Sequence, residues 1–452
     1  MMRIIKHTSG LMALLAIIIF TGNGCTEDTI DQSAALDFEL EKQISRYSPS
    51  GSSDFYILPR ETELDKIPQD PKNPLTPDKV QLGKFLFFET GFGLDSKHNS
   101  GLGTYSCASC HIPEKGFRPD AVQGIADGGM GYADFRKMNP DYTEADLDVQ
   151  EARPLNLINV AFVKNTGWNG QFGGSGTNIG TENVWDERLE TRRNHLGYEG
   201  LETQNIQGLR THRMIINKFL TDQLGYTEMF DKSFPEYDSD NRYSLITGSL
   251  AISAYLRTVI STDAPFQEWL RGDASAMTLE EKKGAVLFFG KANCNRCHYN
   301  QNLGSMEYHA LGVNDMDQHP ESVNANNPIA RRNLGRGGFT KRDEDMFKYK
   351  VPGIYNICDS EHFFHGSSAT TIEDLIEYKN IAVKENPRVS DDNMSPKFTS
   401  LNLTEEEKTQ LIAFLARGLK DPNITRFQPD FVMSGNCIPN NDEVSQDFLN
   451  CN

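Results

Sequence analysis

Two short segments carry the residue types with the sharpest chemistry. "SCASCHIPEKGF" (Ser106–Phe117) and "NCNRCHYN", beginning at Asn293, each hold two thiols three residues apart with a histidine directly after the second. On a helical turn, residues three apart share a face, so both thiols can add to the two vinyl groups of one haem. The adjacent histidine then reaches the iron from the same side. A thioredoxin-like redox pair would not require the histidine, and zinc would prefer four ligands from two nearby knuckles. Two such motifs in one exported chain favour haem c. Cys107, Cys110 and His111 are therefore expected to hold one haem, and Cys294, Cys297 and His298 a second.

Function then turns on the sixth position of each iron. After His111 no histidine occurs until His195, and the loop methionines Met130 and Met138 are the other candidates. An open or water-bound face is expected at this first haem. For the second, the candidates lie in "HFFHGSSATTIEDLIEYKN", where Tyr378 and Lys379 fall on a helix beginning near Thr371.

The elements that must position these groups read as helices. "GKFLFF" at Gly83 precedes the first motif and "GAVLFF" at Gly284 the second, an internal repeat that implies two related domains. Thr278 with Glu281 and Thr404 with Glu407 form capping boxes at the heads of amphipathic runs. "YSLITGSLAISAYLRTVIS", from Tyr243, is a further helix, and alternating strand patterns are absent. Gly- and Asn-rich stretches such as "GQFGGSGTNIGTEN" imply long loops. The expected fold is mainly α: two cytochrome c-like haem domains in tandem, over residues 57–265 and 266–425, followed by a tail, 426–452.

The chain of 452 residues is 38% hydrophobic, which is globular rather than disordered. Its net charge of −18 argues against nucleic acid or an anionic membrane face as partner and would steer a positively charged protein towards it. "MMRIIKH" followed by "LMALLAIIIF" reads as an export signal over residues 1–24, with an apolar core about half as long as a bilayer span requires. The small residues before Cys25 resemble a lipoprotein processing site, despite Asn23 and Gly22. A lipid at Cys25 would hold the protein at a membrane surface in the periplasm or cell envelope, with 25–56 as a flexible tether. Of the remaining cysteines, Cys358 is expected to be buried, whereas Cys437 and Cys451 are able to pair.

The motifs "LGKFLFFE…YSCASCHIPEKGF", "GWNGQ", "EEKKGAVLFFGKANCNRCHYN", "YHALGV", "FKYKVPGIYNI", "FFHGSSATTIEDLIEY" and "LTEEEKTQLIAFL" resemble, in order, the bacterial dihaem cytochrome c peroxidase family. That family includes the dihaem enzyme that matures methylamine dehydrogenase. The resemblance runs from about Leu58 to Pro422. It implies a peroxidatic N-terminal haem, a C-terminal relay haem, and Trp168 of "GWNGQ" lying between them. It also implies reduction of hydrogen peroxide to water, with electrons from a small cytochrome c or cupredoxin, and frequent homodimers.

Departures from the family pattern qualify this. The displaceable distal histidine of many members is absent after the first haem, which implies a standing peroxide site. "GLRTHRM" puts Arg213 or His212 where the family's distal glutamate would be, with Gln204 and Glu202 nearby as hydrogen-bonding groups. The relay haem's distal ligand is methionine or tyrosine in the family; counting from His365 lands on Lys379, and Tyr378 beside it is taken as the ligand. Arg153 stands where the family's interdomain calcium uses an asparagine, so a guanidinium is expected to replace that cation. A maturation-type oxidase using a high-valent iron state on a protein or organic substrate is the alternative function. An electron carrier or sensor with two six-coordinate irons is the non-enzymatic one.

Overall fold

The computed structural model describes residues 27–324, 327–359 and 361–451. The expected signal segment and Cys25 lie outside them. Eight helices frame the sites: α1 (Glu27–Tyr47), α2 (Pro77–Phe88), α3 (Gly200–Thr211), α4 (Leu245–Arg257), α5 (Leu279–Phe289), α6 (Ile372–Ile381), α7 (Glu405–Ala413) and α8 (Glu443–Leu449). The only strands among the described residues are two short antiparallel ribbons, Gly129–Met130 with Lys137–Met138 and Tyr308–His309 with Tyr349–Lys350. The mainly α architecture expected from the sequence is the one observed.

Local chemistry starts these helices. At α5 the Glu281 N–H donates to Thr278 Oγ1 at 3.3 Å and the Thr278 N–H to Glu281 Oε2 at 2.9 Å. Thr404 and Glu407 do the same at α7, at 3.2 and 2.9 Å. These reciprocal bonds satisfy amides that the first turn leaves without partners.

The repeated Gly-x-x-Leu-Phe-Phe has a geometric cause. A Cβ on Gly83 would sit 1.9 Å from the Ala251 carbonyl oxygen of α4, and one on Gly284 2.0 Å from that of Gln410 in α7. In both halves two helices therefore cross backbone to backbone, α2 on α4 and α5 on α7. Four residues on from each glycine, a phenylalanine meets the histidine of the motif. The Phe87 and His111 rings lie 6.4 Å apart, those of Phe288 and His298 6.3 Å. The buried side chains of the two halves form one continuous hydrophobic core.

The ends of the chain cross over. The stretch expected as a tether is instead largely helix α1, docked on the second half. Leu40 and Ile44 are fully buried, and Asp37 accepts from Trp269 Nε1 at 2.8 Å and pairs with Lys282 at 2.7 Å. Its polar composition hid a stripe of Ser33, Asp37, Leu40 and Ile44, in which polar residues find buried partners. The C-terminal tail, conversely, is clasped to the first half. Ser106 Oγ donates to the Pro439 carbonyl at 2.8 Å, Ser109 Oγ donates to Asn440 Oδ1, and Asp442 Oδ1 accepts from the Gly131 N–H at 2.9 Å. A Cys437–Cys451 disulfide closes this tail around α8.

Candidate haem sites

Both Cys-x-x-Cys-His segments fold into the same 3₁₀ turn, over Cys107–Ser109 and Cys294–Arg296. In each, the histidine N–H donates to the first cysteine's carbonyl at 3.0 Å, which closes the turn. His111 Nδ1 faces the Phe117 carbonyl at 2.9 Å and His298 Nδ1 the Leu303 carbonyl at 2.7 Å. A carbonyl only accepts, so Nδ1 carries the proton and Nε2 keeps its lone pair for a metal. Burial pushes both imidazoles down to about 4, so they are neutral and ready to ligate at ordinary pH.

The surroundings fit a haem at each turn. The four thiols are unpaired. Gly124 brings its backbone close to the second thiol of the first site; a Cβ there would lie 2.6 Å from Cys110 Sγ. The second turn opens onto a cavity of about 300 Å³ whose wall includes Cys294, Cys297, His298, Trp168, Arg118 and Lys379. Arg118 Nε is buried there without an acceptor, as a cation awaiting the carboxylate of a bound group would be.

At the first site His212 Nδ1 and Asp148 Oδ2 are 2.7 Å apart. Burial opposes the His212 charge, but the Asp148 charge and hydrogen bond outweigh it and raise the imidazole above its ordinary value. The His212 charge in turn helps hold His111 down, so the two rings are within electrostatic reach. Arg213 is differently placed. Its Nη1 is bound by Asp127, a fully buried carboxylate, and donates to the Asp146 carbonyl at 2.9 Å. A permanently charged guanidinium fixed in that way fastens the loop and cannot shuttle protons. This corrects the expectation that placed it among the catalytic groups. Gln204, half-buried on α3, makes no side-chain hydrogen bond among the described residues. Glu202 is buried against Arg257 at 2.7 Å, a core ion pair rather than a site group. Met130 and Met138 sit in the ribbon, the latter exposed to solvent.

Trp168 lies between the halves. Its Nε1 donates to the Arg153 carbonyl at 2.7 Å, and its ring meets the edge of His365 at 6.1 Å. His365 is buried, pairs with Asp315 Oδ1 at 2.8 Å and stacks on Tyr349 at 3.6 Å. Asp315 and Tyr349 were not foreseen, because nothing local in sequence marks a pairing that spans 50 residues. Arg153 Nη1 donates to the Ala121 carbonyl at 2.7 Å, and Nη2 to those of Pro119 and Glu361, both at 2.8 Å.

Tyr378 is not the cavity residue. Its hydroxyl donates to the Leu311 carbonyl at 2.6 Å and its ring packs on Phe398 at 5.3 Å. Lys379, one position on and so about 100° round the helix, is the side chain on the cavity wall.

A family model described as di-haem cytochrome c peroxidase matches residues 77–275. Cytochrome-c peroxidase IdrP1 of Denitromonas iodatirespirans is 25% identical over 389 residues, covering 80% of this chain and 87% of its own. Methylamine utilization protein MauG of Methylorubrum extorquens is 25% identical over 356 residues, covering 78% and 81%. Cytochrome c peroxidase Ccp of Escherichia coli is 27% identical over 339 residues, covering 75% and 60%. Among solved structures, a MauG-like protein associated with microbial copper homeostasis superposes with a TM-score of 0.55 at 22% identity, over 81% of this chain and 95% of that one, which supports the shared fold. With two matching Cys-x-x-Cys-His turns on matching helix crossings, the chain is similar, most clearly over residues 77–275, to the di-haem cytochrome c peroxidases, a family of oxidoreductases.

Proposed function

We propose that the protein is a cell-envelope peroxidase that reduces hydrogen peroxide to two waters, consuming two protons and two electrons delivered singly by a small cytochrome c or cupredoxin. Cys107, Cys110 and His111 would hold one haem covalently, and Cys294, Cys297 and His298 the other. When bound there, haem would supply the redox chemistry for reducing peroxide with electrons taken one at a time. The observation that carries the reading is the His212–Asp148 pair beside the first turn. Its Nδ1–H is fixed by the carboxylate, so Nε2 can take a proton from peroxide and return it to the departing oxygen. Trp168, anchored to the Arg153 carbonyl and packed on His365, is the aromatic side chain suited to carry electrons between the halves.

Arg153 takes the role of the family's interdomain cation. Its guanidinium satisfies three carbonyls from both halves, which suits a chain that works without calcium. The surplus of negative charge favours a donor with a basic face. The maturation-type alternative rested on a tyrosine at the relay haem, and Tyr378 is bonded elsewhere. The signal-like start and Cys25 support export and attachment through a lipid; a Cys25→Ala variant should then leave the membrane fraction.

Mixing holoprotein with peroxide and a reduced small cytochrome c tests the activity. Two donor molecules should be oxidised per peroxide consumed, and His212→Ala should slow turnover by about a hundredfold or more. Absence of donor oxidation in the wild type would refute the proposal.

A further inference from the structure

We propose that Lys379 is the second axial ligand of the haem held at Cys294, Cys297 and His298, through the nitrogen of its neutral amine. The inference rests on the haem reading of that turn.

Helix α6 has a fixed rotation. Its start is set by Thr371, whose Oγ1 accepts from the Asp374 N–H at 3.0 Å, and Ile372 and Ile376 are buried. Lys379 falls seven and three residues on from these, on the same face, and so enters the cavity. Its ammonium lies between the rings of Phe364, at 5.8 Å, and Phe398, at 5.5 Å. No carboxylate or carbonyl accepts a hydrogen bond from it among the described residues. Other lysines of this region are paired: Lys397 with Glu307, Lys384 with Asp391 and Lys408 with Glu377, each at 2.6 Å. A half-buried cation that faces aromatic rings and has no anion beside it has lost water without compensation, which is costly. Losing the proton and placing the lone pair on a metal removes that cost.

The cavity wall locates Lys379 relative to the haem turn. Cys294, Cys297, His298 and Lys379 all line the same cavity. Rival nitrogens on the wall are worse placed. His309 has both ring nitrogens engaged, Nε2 with Glu307 and Nδ1 with Ser395 Oγ, at 2.9 Å each. His365 is held by Asp315. His362 has a free Nδ1, but its charged neighbours are Arg153, His319, Glu361 and Glu321, not the thiols.

The test is spectroscopic. Haems per chain are counted by pyridine haemochrome, and ferric spin states are read by electron paramagnetic resonance and near-infrared magnetic circular dichroism. The wild type should contain two haems, one of them low-spin with two nitrogen ligands. Lys379→Arg keeps the charge but cannot ligate, so it should lose that low-spin signal while keeping both haems. Lys379→Met should stay low-spin, gain the sulfur-to-iron charge-transfer band and show a raised reduction potential. His362→Ala should change nothing. A low-spin spectrum that persists in Lys379→Arg, or a Lys379→Met protein with both haems but no sulfur band, overturns the assignment. So does a low-spin signal lost in His362→Ala. A wild-type chain carrying one haem overturns the haem reading itself.

Discussion

Replacing Asp148 by asparagine isolates the electrostatic half of the His212 pair. The asparagine oxygen can still accept from Nδ1, so ring orientation survives while the negative charge is lost. A hydrogen bond to a charged partner contributes about 1.5–3 kcal/mol, and one pKa unit corresponds to about 1.4 kcal/mol. With 36% of the His212 side chain exposed, solvent screens the pair and the low end of that range applies. The sign follows from the opposing causes. Burial and the nearby Arg332 and Arg213 charges lower the imidazole and Asp148 raises it, so without the Asp148 charge the value drops below the ordinary one. Proton abstraction from peroxide needs neutral His212. The acid limb of kcat/KM against pH should therefore move towards acid in Asp148→Asn, with slower turnover above it because the base is weaker. The contribution of the pair to stability, present at low pH and lost as pH rises through the raised value, should vanish in the same variant. An acid limb that stays in place, or moves towards alkali, would refute the role given to this pair.

Gly83→Ala and Gly284→Ala should each lower the melting temperature, because the added methyl would sit about 2 Å from a facing carbonyl oxygen and the helices must separate at about 1–3 kcal/mol, beyond the roughly 1 kcal/mol that alanine returns in helix propensity; calorimetry showing no loss would refute the close crossing. Arg153→Ala removes a buried guanidinium that donates to three carbonyls and is expected to destabilise the protein by about 3 kcal/mol. Calcium should partly restore the variant's thermal stability and leave the wild type unaffected, as should a chelator; wild-type protein that melts earlier in chelator would refute the substitution of guanidinium for cation. Cys437→Ser should weaken the tail by about 3 kcal/mol, the closure entropy of a loop with its 14-residue separation, read as faster proteolysis beyond Val432.

What could be read from the sequence was local or repeated. The two thiol turns, the glycine-led helices and the threonine caps each depend on neighbours within a few residues, and each recurs in the structure. What escaped reading depends on rotation or on distance. Tyr378 and Lys379 differ by one position, yet on a helix that decides which side chain meets the cavity. Arg213 and His212 are adjacent too, but the positive φ of Arg213 turns the chain there, and the two side chains leave for different carboxylates. Helix α1 was missed because its buried stripe includes Ser33 and Asp37, whose partners Trp269 and Lys282 lie more than 200 positions away.

The crossed ends impose an order on assembly. Synthesis runs from the amino terminus, so Cys107 and Cys110 emerge long before Pro439, Asn440 and Asp442, the groups that later lock Ser106, Ser109 and Gly131. The first thiol turn is thus left accessible to whatever loads it until Pro439, Asn440 and Asp442 arrive to close over it.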